Sequence, residues 1–361
     1  MSIFRDFFVK EKPFFTGIAR GFGFGGGGAA GASGPGFSAS GGNAEYTLNG
    51  YKYHVFTSSG SLVTNAGTAD DEVEFLIIAG GGGAGAGASV DFGRGGGGGG
   101  AGGVRCSFQG LTPGGPGASP ENGLTCSPGT TYPVTVGDGG AGFTSGPGSS
   151  PANGGDSSFG PPSTPERVYA GGAGRGAGSR NNNGLNSGGG SGGGASASED
   201  SSLVGGTASA TGQGVNPSVV GGYPGGPTNP ESNVCGGGGG AGGAGMTGDY
   251  PSDSCARYGK GGAGMPFPTT MIPPSYGQPS PSGPGRWFAQ GGYGQMVDSG
   301  PDNCPYVNEG GGGANPGNTG TGAAGDGNNG VANTGSGGSG SGDGGTGGNG
   351  GSGIVFLRYR V

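Results

Sequence analysis

The chain has 361 residues, 107 of them glycine, and a formal net charge of −7. Hydrophobic residues make up 29% and charged residues 10%, against globular norms of about 45–50% and about 25%. These figures exclude an ordinary apolar core, and an acidic chain whose Arg-Gly steps are scattered at Arg20, Arg94 and Arg175 lacks the positive footprint that nucleic-acid binding needs.

Disorder is the default for such a composition, because little apolar surface is available to offset ordering entropy. The glycines, however, recur with a period of three. From Asp343 the chain reads Asp343-Gly-Gly-Thr346-Gly-Gly-Asn349-Gly-Gly-Ser352, and shorter stretches repeat the spacing at Asp138 and Ala141 and at Lys260 and Ala263. A helix with three residues per turn lines up every third side chain. Each such rod shows one stripe of small or polar groups and two bare backbone faces, which can lie flush against neighbouring rods.

Taken in chain order, residues 1–24 differ from everything after them. Phe4, Phe7, Phe8, Phe14 and Phe15 are interleaved with Lys10 and Lys12. Five phenylalanines in so short a stretch call for a partner surface, so the segment reads as an anchor, joined by a Gly/Ala/Ser linker over 25–43 to a domain over 44–361. The competing reading is an element docked on its own domain. The first residues lack the basic, apolar and small-residue order of a signal peptide. No apolar stretch approaches the roughly 18 residues of a membrane-spanning helix. Assembly inside a cell, without membrane insertion, is the expectation.

Asn49-Gly50 is a preferred two-residue type I′ turn and predicts a hairpin over 45–56, with Leu48 facing Tyr51 and Tyr46 facing Tyr53. One face carries Tyr46, Leu48, Tyr51, Tyr53 and Val55; the other carries Glu45, Thr47, Lys52 and His54. His54, the single histidine, reads as a solvated cross-strand partner of Glu45. Further strands are predicted over 73–79, 132–136 and 354–361, the first and last sharing one small sheet that brings the ends of the glycine region together. Between them, runs without side chains, such as 95–100 and 236–240, suit interior rods; striped runs such as 343–352 suit the edge. Collagen is disfavoured, since it needs long unbroken Gly-X-Y with abundant imino acids. The expected fold is mostly irregular and β, a packed polyglycine II bundle with a small sheet and almost no α-helix.

Cys106 and Cys126, and Cys235 and Cys255, are each separated by 20 positions. Equal loops suggest two local disulfides, whereas cytosolic synthesis favours free thiols; both readings stand. With one histidine and no Cys-x-x-Cys pair, no metal or other cofactor is expected. Gly-x-Gly-x-x-Gly matches arise from composition, and none joins a credible strand to a helix. Asp249 and Asp253 are candidates for glycoside hydrolysis by spacing only, and the chain is not expected to be an enzyme. Tyr223, Tyr250, Tyr258, Tyr276 and Tyr306 sit in loops between glycine runs, where they suit either recognition or capping of rod ends. Trp287 and Phe288 read as cap or core.

The order Gly50-Tyr51-Lys52-Tyr53-His54-Val55-Phe56, Phe75-Leu-Ile-Ile-Ala79 followed by four glycines, Tyr132-Pro-Val-Thr-Val-Gly137 and Gly353-Ile-Val-Phe-Leu-Arg-Tyr359 resembles the glycine-rich domain of bacteriophage virion proteins. The likeness spans roughly residues 45–361. Residues 8–14 are similar to N-termini of marine phage structural proteins. Packed polyglycine helices with receptor-binding loops at one end occur in adhesins at the long-tail-fibre tips of some T-even-type phages. The resemblance implies a fibre or adhesin that is assembled in the host cytoplasm and held to other virion proteins by residues 1–24. It would present loops to a bacterial protein or glycan receptor. An anchor fused to the domain departs from a separate tip adhesin, so a decoration protein of head, tail or baseplate is the alternative. A glycine-rich extracellular wall protein is a second. Homo-oligomerisation stays open: trimers are common among fibres, but the chain carries no heptads.

Overall fold

The computed structural model describes residues 37–66, 70–87, 95–110, 120–144, 150–162, 166–178, 190–195, 222–228, 235–247, 259–279, 285–294, 326–342 and 345–361. The predicted anchor residues Phe4, Phe7, Phe8, Lys10, Lys12, Phe14 and Phe15 lie outside them. Among the described residues there is no α-helix. In chain order the strands are β1 (Ala39–Ser40), β2 (Ala44–Leu48), β3 (Tyr51–Phe56), β4 (Gly60–Thr64), β5 (Asp71–Ile78), β6 (Val104–Cys106), β7 (Leu124–Cys126), β8 (Thr131–Thr135), β9 (Ser157–Phe159), β10 (Val168–Ala170), β11 (Met265–Phe267), β12 (Gln278–Pro279), β13 (Arg286–Phe288) and β14 (Ile354–Arg360).

They form three antiparallel sheets, ordered β2-β3-β14-β5-β6, β1-β4-β8-β9-β10 and β11-β13-β12, with β7 paired to the first half of β5. The first is the middle layer. Side chains alternate across a strand, so Val55, Leu76, Ile78, Ile354 and Phe356 pack with Phe267 and Phe288 of the three-stranded sheet. Phe56, Phe75, Ile77, Val355 and Leu357 point the other way, onto Leu62, Tyr132, Val134 and Phe159 of the five-stranded sheet. Burial on both faces explains why β5 and β14 read as nearly continuous apolar runs.

The hairpin has the expected register, Tyr46 opposite Tyr53 and Leu48 opposite Tyr51. Asn49 and Gly50 have φ of 51° and 76°, the two positive angles that a type I′ turn requires. β14 pairs with β5 from Ile354 opposite Ile78 to Arg358 opposite Glu74, so the two flanking strands share a sheet. One small sheet was the expectation; three layers are found. The extra strands, mostly of two or three residues, are too short to show an alternating pattern.

Strands continue directly into glycine rods. β5, β8, β10 and β13 lead out into 79–87, 137–144, 171–178 and 289–294, while rods 95–103, 150–156, 259–264 and 345–353 lead back into β6, β9, β11 and β14. All three sheets therefore lie at one end of the bundle. Rod 80–85 shows how the rest is built. Its amides donate in a repeating cycle to three rods: Gly80 and Gly83 to Gly155 and Ala152, Gly81 and Ala84 to Gly351 and Gly348, Gly82 and Gly85 to Gly100 and Gly97. Its carbonyls accept from three others: Gly80 and Gly83 from Ala173 and Gly176, Gly81 and Ala84 from Gly140 and Phe143, Gly82 and Gly85 from Gly338 and Ser341. Six neighbours at a period of three define a hexagonal array of threefold helices. Rods 96–103 and 236–241 are also surrounded on all sides, as runs without side chains predict.

At the inward-facing glycines of this array contact is too close for a side chain. A Cβ on Gly82 would lie 2.1 Å from the Gly174 carbonyl oxygen, and one on Gly238 would lie 2.0 Å from that of Gly99. The same proximity brings Cα–H groups onto carbonyl oxygens, a weak attraction repeated along each rod.

Candidate interaction surface

At the bundle edge the missing neighbour is replaced by side chains. Rod 345–353 is buried at 345, 348, 351 and 353, and its stripe Thr346, Asn349 and Ser352 faces outward. Asn349 Oδ1 accepts from the Gly142 amide at 2.7 Å, Asn329 Oδ1 from the Asn349 amide at 2.8 Å, and Asp326 Oδ1 from the Thr346 amide and hydroxyl, both at 2.8 Å. These Thr346 donors hold the Asp326 carboxyl below the usual carboxylate range. On another edge, Asp156 and Asn153 accept from the amides of Gly172 and Arg175 at 2.8 and 3.1 Å. A carboxylate or amide oxygen every third residue thus does the work of a carbonyl. Sequence reasoning located the 343–352 stripe but not its role, and missed Asp326, Asn329, Asn153 and Asp156; Asp and Asn recurring at that spacing were the available signal.

The two ends of the bundle differ. Antiparallel bonds join 80–87 to 95–103, 137–144 to 150–156, 222–228 to 235–241, 243–247 to 259–264 and 334–342 to 345–353. In each couple the first rod runs away from the sheets and the second returns, so their adjoining ends gather at the pole remote from the sheets. Thr247 and Gly259, which flank the segment containing Tyr250 and Tyr258, are such ends, as is Gly294 before the segment containing Tyr306. Those three tyrosines lie outside the described residues. Tyr223 is half-buried on rod 222–228, near its sheet-side start, where its amide donates to Gly240 and its carbonyl accepts from Gly192.

Tyr276, which by sequence suits either recognition or capping, falls among the described residues. It lies beside the sheets, with its ring edge-on to Phe356 at 5.4 Å and its carbonyl accepting from Arg286 Nε at 2.6 Å; burial pushes its hydroxyl pKa up. Its loop returns to the middle sheet rather than to the remote pole, so it contributes to packing. Phe288 is fully buried in the same cluster, in line with the core reading.

The chain enters the fold at the outer side of the sheets. Phe37 packs edge-on against Tyr359 at 4.9 Å, and the Ala39 amide donates to the Tyr359 hydroxyl at 3.0 Å. Beneath this strap lies His54. It does face Glu45, but it is fully buried, not solvated. Its Nδ1 lies 2.8 Å from the Gly41 carbonyl and 3.4 Å from Glu45, its ring stacks on Tyr359, and Nε2 has no partner among the described residues. Residues 37–41 and β14 cover what the hairpin alone would leave wet. Burial lowers the His54 pKa, opposed by Gly41 and Glu45.

Two buried ion pairs brace the sheets, one reaching from the middle sheet to the five-stranded sheet and one lying within the middle sheet. Arg105 binds Glu121 and the Tyr169 carbonyl. Arg358 binds Glu74 and the Tyr53 hydroxyl, with its guanidinium 3.8 Å from the centre of the Phe108 ring and 4.2 Å from that of Tyr51. Removing one partner of such a pair strands a buried charge.

Cys106 and Cys126 do not form the suggested disulfide. Cys106 pairs with Leu76 and Cys126 with Asp71, at opposite ends of β5, and they belong to apolar clusters on opposite faces of the middle sheet. Burial pushes both thiols up to about 12, which leaves them as unreactive small hydrophobes. Cys235 is buried at the start of its rod, and Cys255 lies outside the described residues. Among the described residues no cluster of His, Cys, Asp and Glu could hold a metal ion, and no helix is long and apolar enough to cross a membrane.

A chain whose interior is layered sheet at one end and hydrogen-bonded glycine rods at the other is built to hold a shape. A family model described as a glycine-rich domain matches residues 57–360, and the chain belongs to that family. A comparison with curated proteins finds no match. The matched span begins after β3, yet β3 pairs with β14 inside it, so the sheet extends beyond the family boundary.

Proposed function

We propose that the protein is a bacteriophage virion structural protein of fibre or adhesin type, acting by contact rather than by catalysis. Residues 1–24 fix it to other virion proteins, and the bundle displays the connections at its remote pole to a bacterial surface. One observation carries this reading: the described chain starts beside Tyr359 on the sheet side, while five couples of rods have their adjoining ends at the opposite pole. A rigid bundle that gathers rod ends at one pole suits the display of connecting segments for host attachment. The resemblance of residues 45–361 to virion glycine-rich domains supports it.

The test uses phage particles carrying the gene. Deleting residues 1–24 is expected to strip the protein from purified particles, and retention would refute the anchor. Replacing 248–258 by a glycine–serine segment is expected to slow adsorption to host cells. Unchanged adsorption would favour the second reading, a decoration protein without receptor contact. The half-buried settings of Tyr223 and Tyr276 favour that alternative.

A further inference from the structure

Five Asn–Gly steps fall among the described residues: Asn49–Gly50, Asn122–Gly123, Asn153–Gly154, Asn329–Gly330 and Asn349–Gly350. Such steps are chemically labile, because glycine offers no Cβ to keep its main-chain nitrogen from the preceding side chain. That nitrogen loses its proton and bonds to the asparagine Cγ, the Cγ–Nδ2 bond breaks, and ammonia leaves. Water then opens the resulting succinimide to aspartate or isoaspartate, so the balance is asparagine plus water to aspartate plus ammonia. The reaction needs a glycine nitrogen free to deprotonate and swing toward Cγ.

At four steps it is not free. Gly123 N donates to Glu72 Oε1 at 2.8 Å, Gly154 N to Ala173 O at 3.0 Å, Gly330 N to Asn349 O at 2.7 Å, and Gly350 N to Gly140 O at 2.8 Å. In the three rod steps the asparagine Oδ1 is engaged as well, accepting from the amides of Arg175, Asn349 and Gly142. Rotation toward succinimide there breaks two lattice bonds. Gly50 is different. Its amide donates to no acceptor among the described residues, a Cβ built on it would meet nothing within 4 Å, and Asn49 beside it is exposed. A single exposed bond, from Asn49 Nδ2 to the Thr270 carbonyl at 2.8 Å, restrains the side chain.

We propose that Asn49 is a site of spontaneous deamidation in this protein, and that the polyglycine array suppresses the same reaction at Asn153, Asn329 and Asn349. Conversion to aspartate replaces the donor facing Thr270 by an acceptor and adds a negative charge. Conversion to isoaspartate lengthens the two-residue turn whose Gly50 carbonyl holds the Val361 amide at 3.0 Å. Among the described Asn–Gly steps, chemical ageing therefore begins at the sheet pole and spares the rods.

The test is peptide mapping by mass spectrometry of the full-length native chain, sampled during incubation in mildly alkaline buffer. Asn49 is expected to convert at least about tenfold faster than Asn153, Asn329 or Asn349, a ratio equivalent to about 1.4 kcal/mol. In denaturant, the four rates are expected to converge. Equal rates in the native chain, or a rod asparagine leading, would overturn the proposal. So would a native difference that persists undiminished after unfolding, because flanking sequence would then set it.

Discussion

Phe356 and Gly99 sit at the centres of the two halves of this molecule and fill space in opposite ways. Phe356 is fully buried, its ring edge-on to Tyr276 and Phe288 at centroid distances of 5.4 and 6.1 Å; the sheets are held apart and joined by side chains. Gly99 has no side chain, donates to Gly338, accepts from Gly292, and leaves no room for a Cβ, which would lie 2.1 Å from the Gly82 carbonyl oxygen. In the sheets density comes from apolar groups leaving water. In the rods it comes from the main chain itself, through hydrogen bonds and close dispersion contact. The sign of a mutation's effect on packing should therefore invert between the two regions.

The largest expected effect is the loss of an aromatic ring from the sheets. Phe356→Ala should cost about 3–5 kcal/mol in a denaturant titration, and a loss below about 1 kcal/mol would show that the sheet layers contribute little. In the rods the damaging change is an addition. Gly99→Ala should cost about 3 kcal/mol, the upper end of overpacking, because the obstructing atom is backbone held from all sides. A melting curve unchanged by that one carbon would break the comparison.

Edge rods should respond more mildly. Asn349→Ala removes the acceptor of the Gly142 amide, which then turns to water, so about 1 kcal/mol is expected, measurable by thermal melting. Acidification should add a modest loss at the sheet pole. Burial lowers the His54 pKa, so the fold favours the neutral ring. Stability is complete above the unfolded histidine pKa of about 6.5 and falls as pH drops through it toward the lower folded value. Melts between neutrality and mild acid should show this slope in the wild type and lose it in His54→Gln; a slope retained by the variant would place the effect elsewhere. The smallest effect is a gain. Gly178 is a rod-end glycine whose Cβ would meet only the Phe143 ring, at 3.6 Å. Gly178→Ala should therefore raise stability by about 0.4–1 kcal/mol through the unfolded chain, and a clear loss would show that the array reaches further than its contacts indicate.

The hairpin was legible because Asn49-Gly50 states its own turn and Tyr46 to Val55 state its face. β5 and β14 were legible as long apolar runs. β6, β9, β10, β11 and β13, each of three residues, were not, since a three-residue strand shows neither alternation nor length. His54 was misjudged because its burial depends on Gly41 and Tyr359, one of them more than 300 positions away in the chain. The cysteine spacing was compatible with pairing, but β5 holds Cys106 and Cys126 apart on opposite faces. Tyr276 lay in a loop whose destination only the middle sheet reveals.

Composition by itself determined that apolar side chains could not fill the whole interior, and the period of three determined that bare main chain would fill the rest. Only the tertiary structure decided which rod lies beside which. A glycine rod offers the same donors and acceptors in three directions to any neighbour, so it carries no address of its own. The address comes from the strands at its ends and from the Asp, Asn and Ser stripes along its edge, whose partners come together only when the whole chain has folded.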